Sequence, residues 1–129
     1  WTAVKRVQNL VRTERFFVLN GDTYCRLDYD ALLRFVEKAG YITNEGVQKN
    51  LITIAIDDQY RHVGCTVVNK KLFSYSTPDG DLEQLSAWAA RNAAAVIEFH
   101  TVAELFYDVG TPDGLESFRK FDADLGELT

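Results

Sequence analysis

Two aspartates far apart in the chain carry the clearest chemical signal. Asp22 follows an apolar run in Phe16-Phe17-Val18-Leu19-Asn20-Gly21-Asp22-Thr23-Tyr24, and Asp108 sits in Phe106-Tyr107-Asp108-Val109-Gly110-Thr111-Pro112-Asp113. Each segment runs a strand-like stretch into a carboxylate, and small or turn-forming residues follow. Two carboxylates held at strand ends suit a magnesium–phosphate site. Mg²⁺ is a hard ion that takes oxygen ligands, typically one or two carboxylates together with substrate phosphates. Each aspartate also has a plainer reading. Asn20-Gly21-Asp22 is turn-prone, and its aspartate can simply bond the local backbone. Asp108 stands just before a helix whose N-terminal dipole stabilises a negative charge.

The remaining chemically capable residues read as structural. His62 and His100 lack a nearby Asp or Cys partner pattern, and Cys25 and Cys65 have no metal-ligand spacing. Asp28 and Asp30 suit a helix start, Asp57-Asp58 a solvated loop, and Lys70-Lys71 an exposed surface turn. Trp88, with Leu85 and Ala89, reads as core or as a partner-facing surface.

Positioning the two aspartates requires an ordered set of elements, and the hydrophobic pattern supplies one. Residues 2–12 read as a helix with Val4, Val7, Leu10 and Val11 on one stripe. Phe16–Leu19 is a continuous apolar run, as in a strand buried on both faces. Asp28 is a good N-cap for a helix to Ala39, stopped by Gly40, and a polar loop spans 43–50. Leu51–Ile56 and Val63–Val68 read as strands, and 70–75 is ambiguous. Thr77-Pro78-Asp79-Gly80 is a turn, and Asp81 with Gln84 forms a capping box for a helix through Asn92. Ala94–Phe99 and Leu105–Val109 read as strands, and Thr111 caps a last helix with Pro112 at its first position. Strands alternating with helices predict a single α/β domain over 1–129, with a largely parallel sheet and flanking helices. Such sheets bind ligands at the carboxyl ends of their strands; Asp22 falls at such an end, and Asp108 also sits at a strand end.

Composition narrows the function. The 129 residues suit one domain with a real core. A net charge of −5 argues against sequence-independent binding to nucleic acid. No apolar run approaches membrane-spanning length, and two cysteines without a signal peptide predict free thiols and a cytoplasmic location.

The stretch FFVLNGDTYCRLDYDALLRFVEKAG, 16–40, resembles the sugar-phosphate nucleotidyltransferases, which carry a strand ending in Leu-x-Gly-Asp and then a helix. YDVGTPDGLESFRKF, 107–121, is similar to the family's later Asp-x-Gly-Thr-Pro element and its helix, and LITIAI, 51–56, to an intervening strand. Val63–Phe73 matches more weakly a segment that usually begins Asn-Ala-Gly. The resemblance implies a Rossmann-like, glycosyltransferase-A-like fold. It also implies a reaction in which a sugar 1-phosphate and a nucleoside triphosphate are joined with release of pyrophosphate. By it, Asp22 and Asp108 hold a catalytic Mg²⁺, and Gly21 and Gly110 let the backbone approach the ligand. Thr111 is the remaining substrate-binding candidate, although capping its helix is its first role. The attacking phosphate oxygen is already ionised at neutral pH, so alignment and charge neutralisation are what such a site supplies.

The chain departs from the family in three places. It lacks the N-terminal glycine-rich loop ending in Arg-Leu that binds the triphosphate, it lacks the Glu-Lys-Pro element, and His62-Val63-Gly64 stands where Asn-Ala-Gly is usual. The expectation is therefore a partial domain that keeps the metal and sugar-phosphate side of the site. The alternative is a catalytically inactive, ligand- or partner-binding relative. The signature of that alternative is an apolar patch where the absent half-sheet would pack, covered by a second copy or a partner chain.

Overall fold

The computed structural model describes residues 1–38, 40–43, 46–49, 51–91, 96–100 and 106–128. The chain opens with α1 (Thr2–Arg6) and a 3-10 turn (Gln8–Leu10), so the expected helix over 2–12 breaks at Val7. Strand β1 (Arg15–Leu19) leads through the Asn20–Asp22 turn to β2 (Thr23–Cys25). Helix α2 (Tyr29–Lys38) follows, with Asp28 Oδ1 accepting from the Ala31 N–H at 3.0 Å as an N-cap should.

Strands β3 (Gly40–Thr43) and β4 (Gly46–Lys49) form a hairpin in the stretch read from sequence largely as a polar loop. Then come β5 (Ile52–Ile56), β6 (His62–Asn69) and a 3-10 segment, Lys70–Ser74, capped by the Asn69 side chain. Helix α3 (Leu82–Arg91) starts from the expected box: the Gln84 N–H donates to Asp81 Oδ1 at 2.9 Å, and the Asp81 N–H to Gln84 Oε1 at 3.0 Å. Strands β7 (Val96–His100) and β8 (Phe106–Asp108) and helix α4 (Pro112–Leu128) complete the order. The parts of the predicted elements at Ala39, 92, 94–95 and 105 lie outside the described residues.

The main sheet has the order β1-β6-β5-β7, and the expectation of a largely parallel sheet is wrong. β6 runs antiparallel to both β1 and β5, only β5 and β7 run parallel, and the β2–β8 and β3–β4 pairs are antiparallel. The molecule is thus mixed α/β with small, mainly antiparallel sheets, and no described sheet is parallel throughout. The physical reason is the β5–β6 connection. Residues 57–61 make a tight turn, closed by the Asp57 N–H donating to the Arg61 carbonyl at 3.0 Å. So short a link allows only an antiparallel return, whereas a parallel one needs a crossover of a dozen residues or more.

Helices cover both faces of this sheet. Leu27, Leu32 and Val36 pack against Ala55, Val63, Cys65 and Val67 on one face. On the other, Ile52 and Val68 meet Leu72, Leu85, Ala89 and Trp1. Full burial of a Leu or Val side chain contributes on the order of 1.5–3 kcal/mol, so Leu32 and Val36 alone fix α2 firmly. Cys65 is a buried free thiol, a small apolar side chain of the core. No helix among the described residues is long and apolar enough to cross a membrane.

Candidate functional site

The site is built where the main sheet hands the chain to the two-stranded one. The β5–β6 register slips between Ile54 and Ile56, and Gly64 takes φ +86 on the bulging side. A glycine is required there twice over. The backbone angle disfavours other residues, and a Cβ would lie 2.8 Å from both Cβ and Cγ2 of Thr23. The bare backbone lets β2 seat directly on β6, helped by the Asn20 N–H donating to the Gly64 carbonyl at 2.8 Å. His62-Val63-Gly64 therefore has a structural use at its glycine.

β2 then pairs with β8, placing Thr23 opposite Asp108, and the Val109 N–H donates to the Asp22 carbonyl at 2.8 Å. This register brings the two aspartates together. A Cβ placed on Gly110 would lie 2.9 Å from Asp22 Oδ2 and 3.1 Å from Asp108 Oδ1. The two carboxylate oxygens are no farther apart than the sum of those distances, and both carboxylates are exposed. Asp108 Oδ1 accepts from the Gly110 N–H at 3.0 Å, and Asp22 Oδ1 from the Thr23 hydroxyl at 3.4 Å. Lone pairs remain on both groups. Hard oxygen donors that converge on one exposed spot fit a divalent ion such as Mg²⁺, which takes one or two carboxylates and keeps water or phosphate in its other positions. Among the described residues, no group of three or more His, Cys, Asp or Glu side chains is gathered to hold a metal. The pair stands as a two-carboxylate arrangement.

The other candidates fall into place around the pair. At Gly110 a Cβ would crowd both carboxylates. Around Gly21 no protein atom lies within 4 Å of where a Cβ would be, so packing does not demand a glycine there. The Thr111 hydroxyl caps α4: its Oγ1 accepts from the Gly114 N–H at 3.1 Å and donates to the Asp108 carbonyl at 3.3 Å. Gly114 is a position that sequence reading passed over. A Cβ there would sit 1.7 Å from the Asp108 carbonyl oxygen, so the first turn of α4 rests directly on the strand that carries the aspartate. Its signal was present as a glycine in a helix's first turn, where helix propensity argues against one. Tyr24, Tyr107, Phe118 and Phe121 cluster, with ring centroids 5.1–6.3 Å apart, and bind α4 to the β2–β8 pair.

A cavity of about 180 Å³ is lined by Asn20, Thr23, Tyr24, Tyr29, Val63 and Gly64 with apolar neighbours; it reaches the chain neighbour of Asp22, but neither aspartate lines it. Its lining contains no lysine or arginine. His62 lies away from the aspartates, half-buried, with Nε2 3.1 Å from the Thr66 hydroxyl. Burial holds its pKa below the usual histidine value, and a hydrogen bond to the Cys65 backbone opposes that only in part. His100 occupies the last position of β7, opposite Ile56. Asp57, expected in a solvated loop, is instead buried in the β5–β6 turn.

No protein-family model matches the chain, and no curated protein matches it in sequence. Solved structures do. The fold is similar to that of HddC from Yersinia pseudotuberculosis, with TM-score 0.65 and 18% identity over 90% of this chain. It is also similar to a Bacillus anthracis protein in complex with sucrose, provisionally assigned as a glucose-1-phosphate thymidylyltransferase. That match has TM-score 0.68 and 14% identity over 89% of this chain. The chain spans 59% and 57% of the lengths of these two proteins. The likeness is one of fold: sugar-nucleotidyltransferase-like, at low sequence identity.

Proposed function

We propose that the chain is a nucleotidyltransferase-like domain that acts on a sugar 1-phosphate and a nucleoside triphosphate, with release of pyrophosphate. The observation that carries this reading is the convergence of Asp22 and Asp108 on Gly110 within a fold of that kind. Asp22 and Asp108 would hold Mg²⁺, which when bound supplies charge neutralisation and alignment for the phosphates. The chain itself does the positioning. The β2–β8 register and the Gly64 bulge fix where the carboxylates stand, and the missing Cβ of Gly110 keeps the space between them clear. Open space at Gly21 leaves the turn before Asp22 accessible to a ligand. Thr23, Asn20 and Tyr24 offer hydroxyl and amide groups in the cavity they line, the chemistry a sugar hydroxyl needs.

A second reading is supported by one observation. A triphosphate needs cationic neighbours, and the cavity lining has none. The domain would then bind a ligand or partner without turnover. One experiment separates the two. Thermal stability is followed with Mn²⁺ and glucose 1-phosphate, alongside pyrophosphate release with added nucleoside triphosphates. Metal-dependent stabilisation lost in Asp22→Asn, together with pyrophosphate release, supports the first reading. The same stabilisation without release supports the second. Stabilisation that is equal in Asp22→Asn sinks the metal role.

A further inference from the structure

We propose that the sugar 1-phosphate taken by this domain carries a protonated amino group, received at Glu83 in a second cavity between α3 and the main sheet. That cavity has a volume of about 330 Å³ and is lined by Ile54, His62, Thr66, Leu82, Glu83 and Ser86. Ile54 and Leu82 give it an apolar surface, and the other four residues bring polar atoms. The combination suits the C–H face and the edge groups of a sugar ring.

The supply of protons decides what the ring must carry. Glu83 lies in the first turn of α3, where the helix dipole favours its charged form, and a carboxylate only accepts hydrogen bonds. The Ser86 hydroxyl donates its proton to the Leu82 carbonyl at 2.9 Å, so towards a ligand it presents lone pairs. Thr66 Oγ1 and His62 Nε2 engage each other at 3.1 Å, and the burial that lowers the His62 pKa leaves its ring neutral at pH 7. A neighbouring cavity shares His62, Leu82 and Glu83, adds Asp81, and reaches Asn20, two residues before Asp22. No lysine or arginine lines either cavity, and neither Asp81 nor Glu83 has an ion pair among the described residues.

Two carboxylates, spare lone pairs and no cation call for a ligand that brings positive charge and N–H donors. A metal ion is the other cationic choice, but among the described residues His62, Asp81 and Glu83 are not gathered into a metal-binding group. A primary ammonium needs no such convergence, because its N–H bonds point outward to separate acceptors. The residues that receive the amine lie on β6 and α3 or cap that helix, and none belongs to the first residues of the chain. The proposal rests on the sugar 1-phosphate reading above, with Asp22 and Asp108 on the phosphate side.

Calorimetric titration of the whole chain in Mn²⁺ compares glucosamine 1-phosphate with glucose 1-phosphate. Wild type should bind the amino sugar about tenfold more tightly, the effect of one hydrogen bond to a charged group. Glu83 is exposed, so Glu83→Gln should keep its melting temperature while bringing the two sugars within about twofold of each other. N-acetylglucosamine 1-phosphate, whose nitrogen carries no charge, should bind wild type no better than glucose 1-phosphate. Equal wild-type affinities for the charged and uncharged sugars overturn the proposal, as does an amine preference that Glu83→Gln keeps. Asp22→Asn reads the phosphate side separately and should weaken both sugars alike. If it changes neither affinity while the Glu83-dependent preference persists, the metal role falls and the amine site stands. A chain that binds none of the three sugar phosphates overturns both.

Discussion

Three aspartates close or follow strands in this molecule, and they live in opposite circumstances. Asp57, after β5, is 2% exposed: its Oδ1 accepts from the Gln59 and Arg61 N–H groups at 2.9 Å each, and its Oδ2 from Arg61 Nε at 2.7 Å. Asp22 and Asp108 are exposed, share one small volume, and have few hydrogen-bond partners. Residue type is the same in all three, and each lies within one residue of a strand's end. What differs is saturation. A carboxylate whose lone pairs are taken by its own turn stabilises that turn, whereas a facing pair with spare lone pairs is free to bind something else.

The largest expected effect lies in the scaffold beneath Asp108. Gly114→Ala forces a methyl group into the Asp108 carbonyl, and backbone cannot step aside as a flexible side chain would. The expected loss is about 3 kcal/mol in urea denaturation, with the tyrosine signal of the α4 cluster altered. Next comes Asp57→Asn, which removes charge from a fully bonded carboxylate and should lower the denaturation midpoint clearly. Burial works to raise the pKa of Asp57, but hydrogen bonds from the Arg61 and Gln59 backbone and the Arg61 guanidinium outweigh it and hold it below the usual value. A depressed folded-state pKa gives stability that is present above the unfolded value of about 3.9 and is lost as pH falls through the folded one. The wild-type acid limb should therefore flatten in Asp57→Asn, as read by stability against pH below about 4.

Within the same turn Tyr60 takes φ +60, a left-handed conformation that costs a non-glycine residue on the order of 1–2 kcal/mol. Tyr60→Gly should recover about 1 kcal/mol, which would mark this turn as selected for more than stability. The smallest effect on folding is expected at the facing pair. Asp22→Asn and Asp108→Asn should each change metal-free stability by no more than about 0.5 kcal/mol. Each should also abolish the Mn²⁺-dependent gain, about 2.7 kcal/mol when the ion is at one hundred times its Kd. A large metal-free loss at either aspartate would place it with Asp57 instead.

How much of this was legible in the sequence depended on whether the signal was local. The caps at Asp28, Asp81 and Thr111 and the apolar runs of β5 and β6 rest on neighbours a few residues away, and they read correctly. The run at 16–19 is a strand, but burial on both faces is wrong for it, because Phe17 and Leu19 are exposed. The partnership of Asp22 and Asp108 was legible as a pair of similar segments, but the means of joining them was not. It depends on three-residue strands, β2 and β8, too short for alternation to show, and on Gly64, whose reason lies in Thr23. Strand direction failed for a related reason. Alternating strands and helices suggested parallel pairing, while the decisive feature was the five-residue turn at 57–61, whose buried aspartate looks polar and solvated when only composition is seen. Asp57 and Asp22 could not be told apart from sequence because saturation is a property of geometry.

The segregation of aromatic residues has an optical consequence. Both tryptophans, Trp1 and Trp88, belong to the packing between the main sheet and α3, while the rings that hold α4 to the β2–β8 pair are tyrosines and phenylalanines. Indole emission therefore reports on one region of the molecule and near-ultraviolet tyrosine dichroism includes the other. Following both colours through a single melt would show whether the aspartate-bearing module comes apart with the main sheet or ahead of it, with no label introduced.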